Sequence, residues 1–197
     1  MHRLGCRNAA GARTARHDEL VSVIANAASV ADPQAFRVAR EERLSEAEDS
    51  KARPGDVALN LGNGRCLADV TVASPFGAAG QKFTRIAGNP AAAASAAYDR
   101  KLAKWHSLLQ NHVQDGDRVD SSFQPLAVTA LGSWDERSLA WLRKFSDVCA
   151  AASAIDKGSA FSNLMTLLSV ALWRGNSRLL RSLHETALRL EENIPDD

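Results

Sequence analysis

The chain has 197 residues, 45% of them hydrophobic and 24% charged, which is the balance of one soluble globular domain and excludes a multidomain machine. No run approaches the ~18–20 apolar residues of a membrane helix, so no membrane partner is expected. The 24 basic residues stand against 23 acidic ones with no basic arm, so a nucleic-acid role has to rest on particular residues. The start, Met1 to Cys6, lacks a secretory apolar stretch, and Cys6, Cys66 and Cys149 are few and widely spaced. Together these features predict an intracellular, reduced protein without a disulfide framework.

In chain order, Thr14 is the predicted N-cap of a first helix whose apolar face is Leu20, Val21, Ile24, Ala25 and Ala28, ending at Asp32-Pro33. A short strand is predicted over 35–38, and the charged stretch 40–51 reads as a solvated connection. From Asp56 to Ala73 the β-branched and small residues around Gly62-Asn63-Gly64 spell a β-hairpin, closed by Ser74-Pro75-Phe76-Gly77. After an excursion over 77–89, Pro90 opens a long alanine-rich helix through Tyr98 to Gln110, followed by a polar insert over 111–122.

Phe123 to Leu131 forms a third strand, with Pro125 favouring its start or a sheet edge. Asp135 to Ile155 is helical, with Leu139, Leu142, Phe145, Val148 and Cys149 on its apolar face and Trp141 beside it. The last helical region, 159–190, turns basic at Arg174, Arg178 and Arg181, and Gly175 is a point where it could divide. Trp134 and Trp173 are expected as core anchors, and Cys66 and Cys149 as small core residues. Surface or capping roles are expected for His106, His112 and His184. The order of elements predicts an α/β or α+β domain, one layer of sheet covered by helices.

Asp69 lies in mid-strand, where a carboxylate is disfavoured and expensive to bury without a partner. Asp56 stands thirteen residues earlier, at the start of the other hairpin strand. A two-residue turn at Gly62-Asn63 sets the two aspartates opposite each other, with Cβ atoms about 4.5–5.5 Å apart. A turn at Asn63-Gly64 makes them diagonal neighbours on the same face, and a three-residue loop over 62–64 puts them on opposite faces. Paired carboxylates suit Mg²⁺, which takes one or two of them together with waters. The alternative is a structural pairing of Asp69 with an arginine such as Arg53 or Arg85. No nucleophile elbow or Ser/His/Asp order is present, and no helix follows Gly62-Asn63-Gly64 as a phosphate loop requires.

Taken together in order, Arg16-His17-Asp18, Arg53-Pro54-Gly55-Asp56-Val57, Ala68-Asp69-Val70-Thr71-Val72, Lys101-Leu102-Ala103-Lys104-Trp105, Pro125-Leu126-Ala127-Val128-Thr129, Gly132-Ser133-Trp134 and Leu168 to Asn176 resemble a known pattern. It is that of the restriction-like endonuclease region at the C-terminal end of reverse-transcriptase proteins of site-specific non-LTR retrotransposons. The resemblance covers nearly the whole chain. This family is related to the PD-(D/E)XK nucleases, and the resemblance implies a restriction-endonuclease-like mixed sheet flanked by helices and metal-dependent hydrolysis of DNA phosphodiesters. It implies Asp56 and Asp69 as ligands of Mg²⁺ or Mn²⁺. The lysine of a D/E-x-K element would fall at Thr71, and the resemblance implies that Lys101 and Lys104 of the following helix supply it. Trp105 stands where a tyrosine is common, and residues 77–89 lengthen the path from Asp69 to the lysines.

His2 and Cys6 resemble the last two ligands of a Cys-Cys-His-Cys zinc knuckle, an incomplete set that would hold Zn²⁺ only with upstream ligands supplied. The division implied is a knuckle remnant at 1–13, the nuclease domain at 14–155 and a C-terminal helical extension at 156–197. The chain reads as a fragment or a degenerate copy of a larger protein, whose upstream reverse-transcriptase domain would be a partner beside DNA. The implied function is nicking of target DNA for reverse transcription, in the nucleus where active. The rival readings are an inactive nuclease-fold remnant that binds nucleic acid or protein, and a helical interaction domain.

Overall fold

A computed structural model describes residues 10–31, 38–40, 55–61, 64–74, 89–114 and 121–191. Along the chain run α1 (Ala10–Ala31), β1 (Val38–Arg40), β2 (Val57–Leu61), β3 (Gly64–Ala73), α2 (Ala92–Gln114), β4 (Ser121–Thr129), α3 (Glu136–Ser153) and α4 (Lys157–Glu191). The sheet has the order β1-β2-β3-β4: the first three strands are antiparallel, and β4 joins β3 in parallel. A parallel neighbour needs a crossover rather than a hairpin. Helix α2 is that crossover.

The mixed sheet separates two helical layers. On one face α1, α3 and α4 bury Leu20, Ile24, Leu142, Phe145, Leu168 and Leu172 against Val57, Leu59, Ala68, Val70, Leu126 and Val128. On the other, α2 lays Trp105 over Ala58 and Leu67, and Ala94, Ala97 and Tyr98 over Ala127. Trp105 stacks on Phe123 with ring centroids 4.9 Å apart. Alternation along β3 therefore sends Ala68 and Val70 into the large core and Leu67 and Asp69 toward α2.

Local chemistry accounts for several boundaries. Residue 61 pairs with residue 64, so the hairpin closes through the two residues Gly62-Asn63. Pro125 sits in β4 at a sheet edge, where a missing N–H costs no ladder bond. The outer side of β4 is covered by the chain that follows: Asp135 N–H donates to Ala127 O (3.0 Å), and Ala127 N–H donates to Ser138 Oγ (3.0 Å). Asp135 also caps α3, its side chain accepting from the N–H groups of Arg137 and Ser138.

Five expectations are corrected. Helix α1 starts at Ala10, and Thr14 lies within it with its hydroxyl donating to Ala10 O, a bond available only once the preceding turn is already helical. Helix α2 continues beyond Gln110 to Gln114, taking in part of the expected insert. Val148 is exposed on α3, whose inward positions are Ser138, Leu142, Phe145, Ser146 and Ala150. Helix α4 is not divided at Gly175. Trp173 is 57% exposed, because the inward face of α4 is carried by Leu164, Leu168, Ala171, Leu172, Asn176 and Leu179.

The first division placed at 13/14 falls inside α1, and the extension after 155 is α4, which shares the main core. His2, Cys6, Arg53, Arg85 and most of 77–89 lie outside the described residues, as does the side chain of His112. No helix among the described residues is long and apolar enough to cross a membrane.

Candidate active site

The site forms where β2 begins and β3 continues past it. β3 has ten residues against five in β2, so beyond the Val57 and Ala68 pair the flank of β3 on that side has no strand partner among the described residues. Asp56 takes that place. Its N–H donates to Ala68 O (2.9 Å), and its carboxylate accepts the N–H of Val70 at Oδ2 (2.7 Å). Gly55 permits the approach, since a Cβ there would lie 3.0 Å from Leu67 Cβ and 3.4 Å from Ala68 O.

Continuing the hairpin register by one step sets Asp56 alongside Asp69, the arrangement expected from a Gly62-Asn63 turn. The two carboxylates take different directions. That of Asp56 lies in the plane of the sheet, bonded to a backbone N–H, whereas Asp69 projects into the α2 layer. Asp69 is only 6% exposed, and Lys101 of α2 meets it with Nζ 3.0 Å from Oδ1 and 2.8 Å from Oδ2. The Oδ1 contact is a directed hydrogen bond, while Oδ2 faces the ammonium without one and is otherwise sealed from solvent. Burial, reinforced by the negative charge of Asp56, pushes the Asp69 carboxyl up to about 6 against the pull of Lys101.

His17 comes from α1, on the other side of the sheet. Its Nε2 lies 3.0 Å from Asp56 Oδ2 and its Nδ1 3.2 Å from Asp18 Oδ1. With a carboxylate at each ring nitrogen, both nitrogens act as donors and the imidazolium is favoured. The bond to Asp56 is the largest cause raising His17 to about 9. The result is a chain of alternating layers: His17 from α1, Asp56 at the strand end, Asp69 on β3 and Lys101 from α2.

Of the residues singled out from sequence, the fold brings together Asp56, Asp69 and Lys101. Lys104 is exposed, and no described contact joins it to the pair. Thr71 shares the Asp69 side of β3 by alternation, so the ammonium at this carboxylate comes from a helix rather than from the strand. Cys66 is buried and Cys149 half-buried, and burial raises both thiols, Cys149 to about 11. Both pack against the core, where burial disfavours the thiolate.

In the sequence His17 stands out only as part of Arg16-His17-Asp18. Its bond to Asp56 joins positions 39 apart, and nothing local to either residue signals it. Among the described residues no three His, Cys, Asp or Glu side chains are grouped as a ready-made metal-binding cluster. What the site can offer a hard cation is two carboxylates, one of them with a buried oxygen short of hydrogen bonds. That donor set fits Mg²⁺ or Mn²⁺, which bind one or two carboxylates and keep several waters. No protein-family model matches the chain, and a search of curated proteins finds no significant match.

Proposed function

We propose that the chain is a metal-dependent DNA endonuclease domain, the reading implied by its resemblance to the restriction-like nucleases of non-LTR retrotransposons. The observation that carries it is the convergence of Asp56, Asp69 and Lys101 from a strand end, a neighbouring strand and the crossover helix. Asp56 and Asp69 would hold Mg²⁺ or Mn²⁺. Such an ion, when bound, activates water and balances charge on a phosphate. Lys101, which here neutralises Asp69, would be the side chain placed to meet a phosphate if a cation were held by that carboxylate. The parent protein's polymerase and the DNA target belong to the same proposal.

A second reading, an inactive remnant that binds nucleic acid or protein, is favoured by one specific feature: each carboxylate already has a cationic side chain of this chain against it. Plasmid nicking with and without Mn²⁺ separates the two. The nuclease reading expects metal-dependent nicking by the wild type and loss of about 100-fold or more in Asp69→Asn, since a metal's contribution of several kcal/mol corresponds to at least that. Equal nicking by the two proteins, or none by the wild type, rejects it. Metal should also raise the thermal midpoint of the wild type and not of Asp69→Asn, because only the former gains a folded-state ligand.

A further inference from the structure

Next to His17, Arg16 is buried in the contact between α1 and α4, 5% exposed, with no carboxylate against it among the described residues. A buried guanidinium without a counter-charge is costly, and this one has a specific reception. Its Nη1 donates to Asn176 Oδ1 (2.7 Å), and Asn176 Nδ2 in turn donates to Ala130 O (2.7 Å), just beyond β4. The stem of Arg16 lies against Gly175, where an added Cβ would sit 2.9 Å from Arg16 Cα and closer still to its Cβ and Cγ. Only glycine admits α1 at this distance. The result is a fixed relation between α4, the end of β4 and the first turns of α1.

His17 is the next residue on α1, and it is the side chain that meets Asp56 Oδ2. Asp56 sits at a bend before β2 begins, so its carboxylate is held by two donors, Val70 N–H and His17 Nε2, rather than by a strand of its own. We propose that His17 is a positioning residue for Asp56, and that α4 fixes its place through Gly175, Asn176 and the buried Arg16. The metal-site consequence rests on the nuclease reading above, whereas the positioning itself does not. On this view the C-terminal helix is part of the site: it acts on the carboxylate across the large core without touching it.

Two measurements on the full chain test this. The first is amide hydrogen exchange at Val70, which reports where the Asp56 carboxylate is without any metal. His17→Leu, which removes the donor, is expected to lower Val70 protection about tenfold or more relative to Val128 in the same core. His17→Gln, which keeps an N–H donor, is expected to restore most of it. Arg16→Met keeps an aliphatic stem in the Gly175 notch while removing the guanidinium, so its fold is expected to survive, and it should lower Val70 protection in the same direction. Unchanged Val70 exchange in His17→Leu overturns the role of His17. Unchanged exchange in a folded Arg16→Met overturns the role of α4, and if Arg16→Met fails to fold, Asn176→Asp, which keeps the acceptor for Arg16 but loses the donor to Ala130 O, must lower Val70 protection or the α4 link is rejected.

The second measurement is Mn²⁺ affinity by water-proton relaxation. It is expected to weaken about tenfold in His17→Leu and to recover in His17→Gln. Absence of Mn²⁺ binding by the wild type, with the Val70 effects intact, rejects the metal site and leaves the positioning role standing. Mn²⁺ binding that is unaffected by His17→Leu rejects the positioning role at the metal site.

Discussion

Asp69 is a carboxylate that the fold would rather keep protonated. Its folded-state pKa of about 6 exceeds the ordinary 3.8, so the native state binds protons more tightly and stability falls as pH rises through that window. Replacing it with asparagine removes this slope. At pH 7 Asp69→Asn is expected to be more stable than wild type by on the order of 2 kcal/mol, with the difference vanishing below pH 4, as read from denaturant midpoints at several pH values. An equal difference at pH 4 and pH 7 rejects the burial account of Asp69. His17 adds a decline of the same sign at higher pH. Its pKa, raised from 6.5 to about 9, gives stability that is complete below pH 6.5 and lost as pH rises through 9. His17→Leu should lack this alkaline decline, and an unchanged decline in that variant would assign it to another group.

The elements show which parts of the fold could be read locally. The α1 face from Leu20 to Ala28, the hairpin and the edge placement of Pro125 all follow from periodicity or backbone chemistry within a few residues, and each is found in the structure. The backbone register of Asp56 and Asp69 is one of the three that the hairpin sequence allows, chosen by the pairing of 61 with 64, whereas the different directions of their carboxylates are set by Val70 N–H and Lys101 and are not legible locally. Trp173 and Gly175 were misread because their surroundings are set at long range. A glycine in a helical sequence reads as a break unless one knows that another helix presses against it. The bond between His17 and Asp56 was invisible for the same reason. At the end of α3, Ala154 adopts the left-handed conformation (φ 54°) and donates its N–H to Ala150 O. Glycine tolerates that conformation and alanine does not, so Ala154→Gly is expected to raise stability by about 0.5–1 kcal/mol. A thermal midpoint equal to or below that of wild type would show that this position is unstrained.

At the scale of the whole molecule, the decisive question is whether 156–197 is an appendage or part of the domain. Its helix contributes Leu164, Leu168, Ala171 and Leu172 to the core that covers the sheet, all at most 6% exposed, and Leu179 and Leu183 to a smaller cluster with Ala12 of α1. Burying a leucine is worth about 1.5–3 kcal/mol, so the five leucines alone account for roughly 8–15 kcal/mol of favourable burial. That matches or exceeds the net stability of an ordinary domain, about 5–15 kcal/mol. Removing α4 would also strip Asn176 from the buried guanidinium of Arg16 and expose the far side of α1. A chain ending at Ile155 is therefore expected to lose cooperative unfolding altogether rather than to melt at a lower temperature, and adding residues 156–197 as a separate peptide should restore helical signal only if it docks. A truncated chain that melts cooperatively by circular dichroism would show that α1, α3 and the sheet form a self-sufficient core, and that α4 is an attachment.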